Sequence, residues 1–213
     1  MSGLTGYHLK LIAALTMLMD HVGYVFYPDV EVLRVIGRVS FPVFVWLLVQ
    51  GEAHTKNVWR YGARLGVLAL VSQPVYNAAF DVSQLNILVQ LMLGLACLRA
   101  LRLQLEQAIP VVAMSILVAG VLPLGYGIYG MGLVLLIRYF RSGFLWWICW
   151  VGYHLCWALL GLENQLPVIL VPVLFMAFNG ERGSKARWFY GFYPGHLLVL
   201  ALMSRYVAIS ASF

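Results

Sequence analysis

Lys10-Leu-Ile-Ala-Ala-Leu-Thr-Met-Leu-Met-Asp-His-Val-Gly-Tyr-Val-Phe26 decides the fold. Between Lys10 and Phe26 only Thr16, Asp20 and His21 interrupt an apolar run that shows no polar helix face. Such a helix lies inside a large protein or inside a membrane. The chain has 213 residues, 62% of them hydrophobic and 10% charged. A soluble domain carries about 25% charged residues, so too little charge is left here to wet a globule. A soluble enzyme, a coiled coil and a disordered chain are excluded.

Working outward, further apolar runs cover about 34–51, 60–78, 85–102, 107–124, 127–141, 143–161, 165–179 and 188–206. With 9–27 they predict an all-α, polytopic transmembrane bundle of nine short spans in a single domain, residues 1–213. Each span needs roughly 20 residues, so the sixth and eighth are predicted tilted, broken or only partly inserted. The junction Pro123-Leu-Gly-Tyr-Gly-Ile-Tyr-Gly130 is too rich in glycine for a straight helix. Gly94, Gly120, Gly132 and Gly152 are predicted to let helices approach closely. Lys10 with the run after it resembles a signal peptide, but Asp20 and His21 interrupt it and no cleavage site follows, so it reads as an uncleaved span.

The net charge is +6, which in this setting reports topology rather than nucleic acid. One alternate set of loops holds Lys10, Lys56, Arg60, Arg64, Arg99, Arg102, Arg138, Arg141, Arg182, Lys185 and Arg187, 11 of the 14 basic residues. The other set holds Asp29, Glu31, Asp81 and Glu163, with Arg34, Arg38 and Arg205. The positive-inside rule then predicts a cytoplasmic N-terminus and a C-terminus on the far side of the membrane. Cys97, Cys149 and Cys156 lie in apolar runs and make no disulfide framework. No metal site is expected from the pattern.

Ionisable groups at membrane depth are costly and mark function. Asp20 and His21 lie about 15 Å into the first span at 1.5 Å per residue. Lys10 and His21, eleven residues apart, project from nearly one face. A long cytosolic ligand with a phosphorylated head and a reactive tip fits that face. Arg34 and Arg38 share a face of the second span, and Asp20 is the expected counter-ion of Arg38. His196, in Phe192-Tyr-Pro-Gly-His196, reaches a depth where it can meet His21. His154 reads as a packing residue. Arg60 and Arg64, preceded by His54, suit phosphate groups at the start of the third span. Ser72-Gln73-Pro74, Asn86 and Gln90 could line a polar cavity or tie helices together.

Several blocks together carry a resemblance. Lys10 to Gly23, Gly37-Arg-Val-Ser-Phe-Pro-Val-Phe44, Gly51-Glu-Ala-His-Thr-Lys-Asn57 with Arg60, Tyr61 and Arg64, Ser72-Gln-Pro74, Tyr126-Gly-Ile-Tyr-Gly130 and Phe192-Tyr-Pro-Gly-His-Leu197 follow the order of the TraX family, over nearly the whole chain. The basic residue, ten intervening positions and histidine also resemble the first span of the membrane acyltransferase-3 families. The resemblance implies an acetyl-CoA-dependent, multi-pass acetyltransferase of the bacterial inner membrane acting on the N-terminal amine of a pilin-like membrane protein. It implies His21 as the catalytic residue, with Arg60 and Arg64 at the coenzyme. On this reading Asp20, His196 and Arg38 assist His21, and Lys10 and His54 join the phosphate contacts. Partners are then acetyl-CoA, a pilin or other small membrane-protein acceptor and lipid, with no nucleic acid. The rival readings are an O-acetyltransferase of a surface or lipid-linked glycan, a small proton-coupled transporter, and a structural assembly factor.

Overall fold

A computed structural model describes residues 3–210. Among them the chain is helical throughout, with two isolated β-bridges and no strand. The first helix, α1 (Gly6–Phe26), is capped by Thr5, whose hydroxyl accepts from the His8 amide while His8 Nδ1 accepts from the Thr5 amide. The second apolar run breaks into α2 (Glu31–Gly37) and α3 (Ser40–His54). Pro42 has no N–H for the Arg38 carbonyl, so the helix cannot run through this point unbroken. The break sets Arg34 and Arg38 beside α1. Then come α4 (Val58–Phe80), α5 (Ile87–Ala100), α6 (Leu105–Val121) and α7 (Gly127–Arg138). A helical hairpin follows. In it α8 (Phe144–Trp157) runs into a single π turn, the chain reverses at Gly161 (φ 92°), and a 3-10 segment, Glu163–Leu170, returns to α9 (Pro172–Met176). Trp150 Nε1 donates to the Ile169 carbonyl at 3.2 Å and pins the returning arm to α8. The last helix, α10 (Trp188–Ser210), packs chiefly on α4 and also on α1.

Gly6–Phe26, Glu31–His54 and Phe144–Met176 are long and apolar enough to cross a membrane, and α5, α6 and α7 are shorter apolar helices. The third of these segments is the hairpin, so its 33 residues form two arms. Of the two runs predicted weak, the eighth is broken into the 3-10 arm and α9, whereas the sixth is α7, a short but unbroken helix of 12 residues. Large apolar side chains cover the outside, among them Trp59, Leu105, Phe144, Leu159 and Leu202. The interior is closed by Phe41, Leu48, Tyr129, Leu133 and Trp150. An apolar exterior around a packed interior is what lipid as solvent requires, and the protein is a helical membrane protein.

Close helix approach holds at three of the four predicted glycines. A Cβ on Gly94 would lie 3.0 Å from Val134, one on Gly120 would lie 3.0 Å from Ile128, and one on Gly132 would collide with Tyr153. Gly152 faces open space, so it does not serve this role.

The loops sort to two ends. At one end Leu4 pairs with the Ala177 carbonyl and Gly6 with that of Glu181, both at 2.8 Å. At this end, too, Glu52 closes on Arg99 (3.2 Å) and Arg102 (2.7 Å). We call it the cationic end. At the other end the segments 81–86 and 122–126 meet through the Leu85–Leu124 bridge.

Candidate functional site

The C-terminal half of α1, the α2–α3 break, the end of α4, the start of α5 and the segment before α7 enclose a cavity of about 280 Å³. Asp20, His21, Arg34 and Arg38 line it together with Asn86, Gln90 and Tyr126. Its exposed rim is Tyr24, Gln84 and Gly125, opposite the cationic end.

His21 and His196 meet, as their depths predict. Their rings stack at 5.1 Å and 12°, and His21 Nδ1 lies 2.9 Å from His196 Nε2. His196 Nδ1 lies 2.7 Å from the Phe192 carbonyl. A carbonyl only accepts, so this nitrogen carries the proton, and His196 Nε2, when neutral, must accept. The shared hydrogen bond therefore puts the His21 proton on Nδ1 and leaves the Nε2 lone pair free. Among the described residues that nitrogen has no hydrogen-bond partner. Phe80 meets the His21 ring edge-on at 4.8 Å, and Phe192 stacks on His196 at 4.7 Å, so both rings are held in place.

Asp20 pairs with two arginines, but the order differs from expectation. Arg34 Nη1 lies 3.0 Å from Oδ2 and also donates to the Asp20 carbonyl at 3.1 Å. Arg38, the expected counter-ion, lies 3.9 Å from Oδ1, beyond hydrogen-bond reach. The reason is the break after Gly37. Gly37 packs directly on the Asp20 side chain, so α2 presents Arg34 to the carboxylate more closely. The Arg34 guanidinium is braced over Tyr24 at 5.0 Å. Asp20 Oδ1, Arg38 Nε and Gln90 Oε1 are buried without a hydrogen-bond partner. Unpaired buried polar atoms are uncommon and call for an explanation.

The other predicted residues separate. Gln73 and Asn86 mostly tie helices: the Gln73 side-chain oxygen accepts from both Asn86 nitrogens at 2.9 Å, and Asn86 Nδ2 also donates to the Ala69 carbonyl at 2.8 Å. Ser72 is buried outside the cavity lining. Gln90 does line it, its Nε2 donating to the Gly127 carbonyl at 3.2 Å. Lys10, His54, Arg60 and Arg64 do not line it. His54 is turned back on the Gln50 carbonyl, Arg64 on that of Arg60, and His54, Arg60 and Arg64 are all exposed. Lys10 sits over the Phe189 ring at 5.9 Å. His154 is buried and held to the Trp150 carbonyl at 2.8 Å, as a packing residue would be.

Sequence reasoning missed Arg34 as the closer partner, although its i, i+4 spacing to Arg38 was a signal. It also missed Glu52, which is buried, with its two oxygens shared between Arg99 and Arg102. A lone carboxylate ending an apolar run demanded a counter-ion, but its partners lie 47 and 50 residues away.

The chain is similar to known proteins along nearly its whole length. The probable fimbrial assembly protein FimC, serogroup H1, of Dichelobacter nodosus is 27% identical over 229 residues, which cover 92% of this chain and 94% of that protein. An uncharacterized protein of Rickettsia prowazekii (strain Madrid E) is 44% identical over 36 residues, 17% of this chain and 14% of that protein. No solved structure matches. The family model described as TraX protein matches residues 5–204, a range that includes α1 with His21 and most of α10 with His196. The chain thus belongs to the TraX family.

Proposed function

We propose that this protein is a multi-pass inner-membrane acetyltransferase, with a cytoplasmic N-terminus and nine crossings. It moves the acetyl group of cytosolic acetyl-CoA to the N-terminal amine of a membrane-inserted pilin-like protein. The observation that carries this reading is the free Nε2 of His21, held by His196 inside a polar cavity. A neutral imidazole with an open lone pair is what a general base requires.

The unpaired atoms fit the same chemistry. His21 Nε2, Asp20 Oδ1 and Gln90 Oε1 are three acceptors without donors, whereas Arg38 Nε is a donor without an acceptor. An amine supplies several N–H groups, where a single hydroxyl supplies one proton. In the step itself the amine nitrogen attacks the thioester carbon and His21 Nε2 takes the proton. Arg38 steadies the developing oxyanion. The carbon–sulfur bond then breaks, and the departing thiolate takes the proton from His21. His196 fixes the tautomer, and Arg34 with Arg38 balances Asp20. Lys10, His54, Arg60 and Arg64 gather at the cationic end, where the phosphates of the donor would lie. Membership of the TraX family and the fimbrial-assembly name of the Dichelobacter nodosus relative favour a pilin-type acceptor.

The test is transfer of labelled acetyl from acetyl-CoA to a pilin N-terminal peptide by the purified protein in liposomes. His21→Ala should lower transfer at least about a hundredfold, and blocking the peptide amine should abolish it. Full transfer by His21→Ala would overturn the assignment. Label appearing on a glycan hydroxyl instead would favour O-acetylation, and substrate flux without acetyl-CoA would favour a transporter.

A further inference from the structure

A second cavity lies on the outer side of the bundle, between α5 and α6. It is a groove of about 280 Å³ lined by Leu93, Pro110, Val111, Met114, Ser115 and Val118. The Ser115 hydroxyl donates to the Val111 carbonyl at 2.7 Å, so the lining offers no free donor. Beside the groove α5 exposes Met92, Ala96 and Arg99, which are spaced four and three apart and form one stripe. On one flank of this stripe α4 approaches closely, with Gly66 against Met92 and Gly62 against Leu95. On the other flank α6 packs through Val112, Ile116 and Ala119 into the cluster that holds Cys97. The stripe leads from the groove to Arg99, which follows Leu93 by about 9 Å along the helix axis at 1.5 Å per residue.

Arg99 and Arg102 stand where the stripe reaches the cationic end. Glu52, with its side chain 1% exposed, takes Arg99 Nη1 at 3.2 Å, Arg102 Nε at 2.7 Å and Arg102 Nη2 at 2.8 Å. This fixes both guanidinium groups and still leaves their side chains 45% and 40% exposed. Among the described residues Arg99 Nε, Arg99 Nη2 and Arg102 Nη1 have no acceptor. Guanidinium groups held in place with free N–H groups suit the oxygens of a phosphate. One exposed carboxylate is near. Glu106, in the first turn of α6, lies one turn before Pro110 at the edge of the groove face and makes no ion pair among the described residues.

We propose that Arg99, Arg102 and the α5–α6 groove form a binding site for one anionic phospholipid. The head phosphate accepts from the two guanidinium groups, and one acyl chain passes Ala96 into the groove. Basic pockets between membrane helices are known places for such head groups. The shape favours a chain over another helix. Helix docking asks for small residues that let backbones meet, whereas Leu93, Val111, Met114 and Val118 leave a slot narrower than the 10 Å girth of a helix. Free phosphate would leave the groove empty. The lipid covers a flank of α6 on which Met114 and Val111 stand exposed. The site lies apart from the histidine cavity and does not depend on acetyl transfer.

The experiment places a fluorophore beside the groove. The exposed Cys149 and Cys156 are replaced, Cys97 stays buried, and Leu117→Cys carries bimane. A control protein carries it at Leu202→Cys on α10, which is also exposed and at a similar depth. Each is reconstituted in phosphatidylcholine vesicles containing traces of nitroxide-labelled phosphatidylglycerol or nitroxide-labelled phosphatidylcholine. At Leu117→Cys the anionic lipid should reach half-maximal quenching at a mole fraction at least about fivefold lower than the zwitterionic one. At Leu202→Cys the two curves should coincide. Arg99→Gln leaves Arg102 on both Glu52 oxygens, so the fold is kept, and it should lower the preference about fivefold. Glu106→Gln should raise the preference, and Met114→Trp, which fills the groove, should lower quenching by both lipids. Glycerol phosphate in the medium should not displace the lipid. Coincident curves at Leu117→Cys, an equal preference at Leu202→Cys, or a preference that survives Arg99→Gln unchanged overturns the site. Displacement by glycerol phosphate, or full quenching in Met114→Trp, overturns the role of the groove.

Discussion

His21 and His196 show how much one hydrogen bond can decide. The Phe192 carbonyl fixes the proton of His196, and through it the proton of His21. His196 is therefore a positioning residue. His196→Gln should lower acetyl transfer roughly tenfold to a hundredfold, less than loss of the base itself. It should also shift the pH profile of kcat, which a purely structural role would leave in place. Asp20 carries a different burden. Its side chain is 16% exposed and faces Arg34 and Arg38 at 29% and 13%. Asp20→Ala strands two partly buried guanidinium groups and should cost about 1–3 kcal/mol. Thermal unfolding in detergent would show this, with Asp20→Asn in between.

Elements show what a sequence alone can and cannot carry. Runs of apolar residues and their interruptions gave all the helical segments to within a few residues. The span near 34–51 was the exception in kind, because the break between α2 and α3 depends on Pro42 and on where Gly37 packs. Depth along a helix follows from counting, so the meeting of His21 with His196 was legible. Rotation and tilt follow from packing between distant segments, so the closer approach of Arg34 was not. Nor was the approach of Phe80 to His21, or the separation of Arg60 and Arg64 from the cavity. Gly37 is the point where sequence and packing join. A methyl group there would collide with the Asp20 side chain. Gly37→Ala should destabilise the protein by about 1–3 kcal/mol and, on the proposed function, also lower transfer, because overpacking displaces the helix that carries His21. Gly152→Ala, facing open space, should do neither.

The molecule as a whole is polarised. Basic loops gather at one end, and there Glu52 binds α3 to the end of α5 through Arg99 and Arg102. Glu52→Ala should lower the unfolding temperature by an amount equivalent to about 1–3 kcal/mol, since it leaves two half-exposed arginines that water can still reach. Acetyl transfer at a permissive temperature should survive, because this triad lies away from the cavity. The charge asymmetry also predicts topology. Single cysteines at Lys56, Arg141 and Lys185 should react from the cytoplasmic side, and cysteines at Asp29 and Asp81 from the opposite side. Any exchange of sides among them would change the number of crossings.

Because His196 follows His21 by 175 positions, the ribosome must pass into α10 before the first imidazole finds its mate. Until α10 inserts, that ring lacks the hydrogen bond that His196 supplies. A product terminated before α10 should therefore lack the fixed tautomer of His21 and fail in the labelled-acetyl assay.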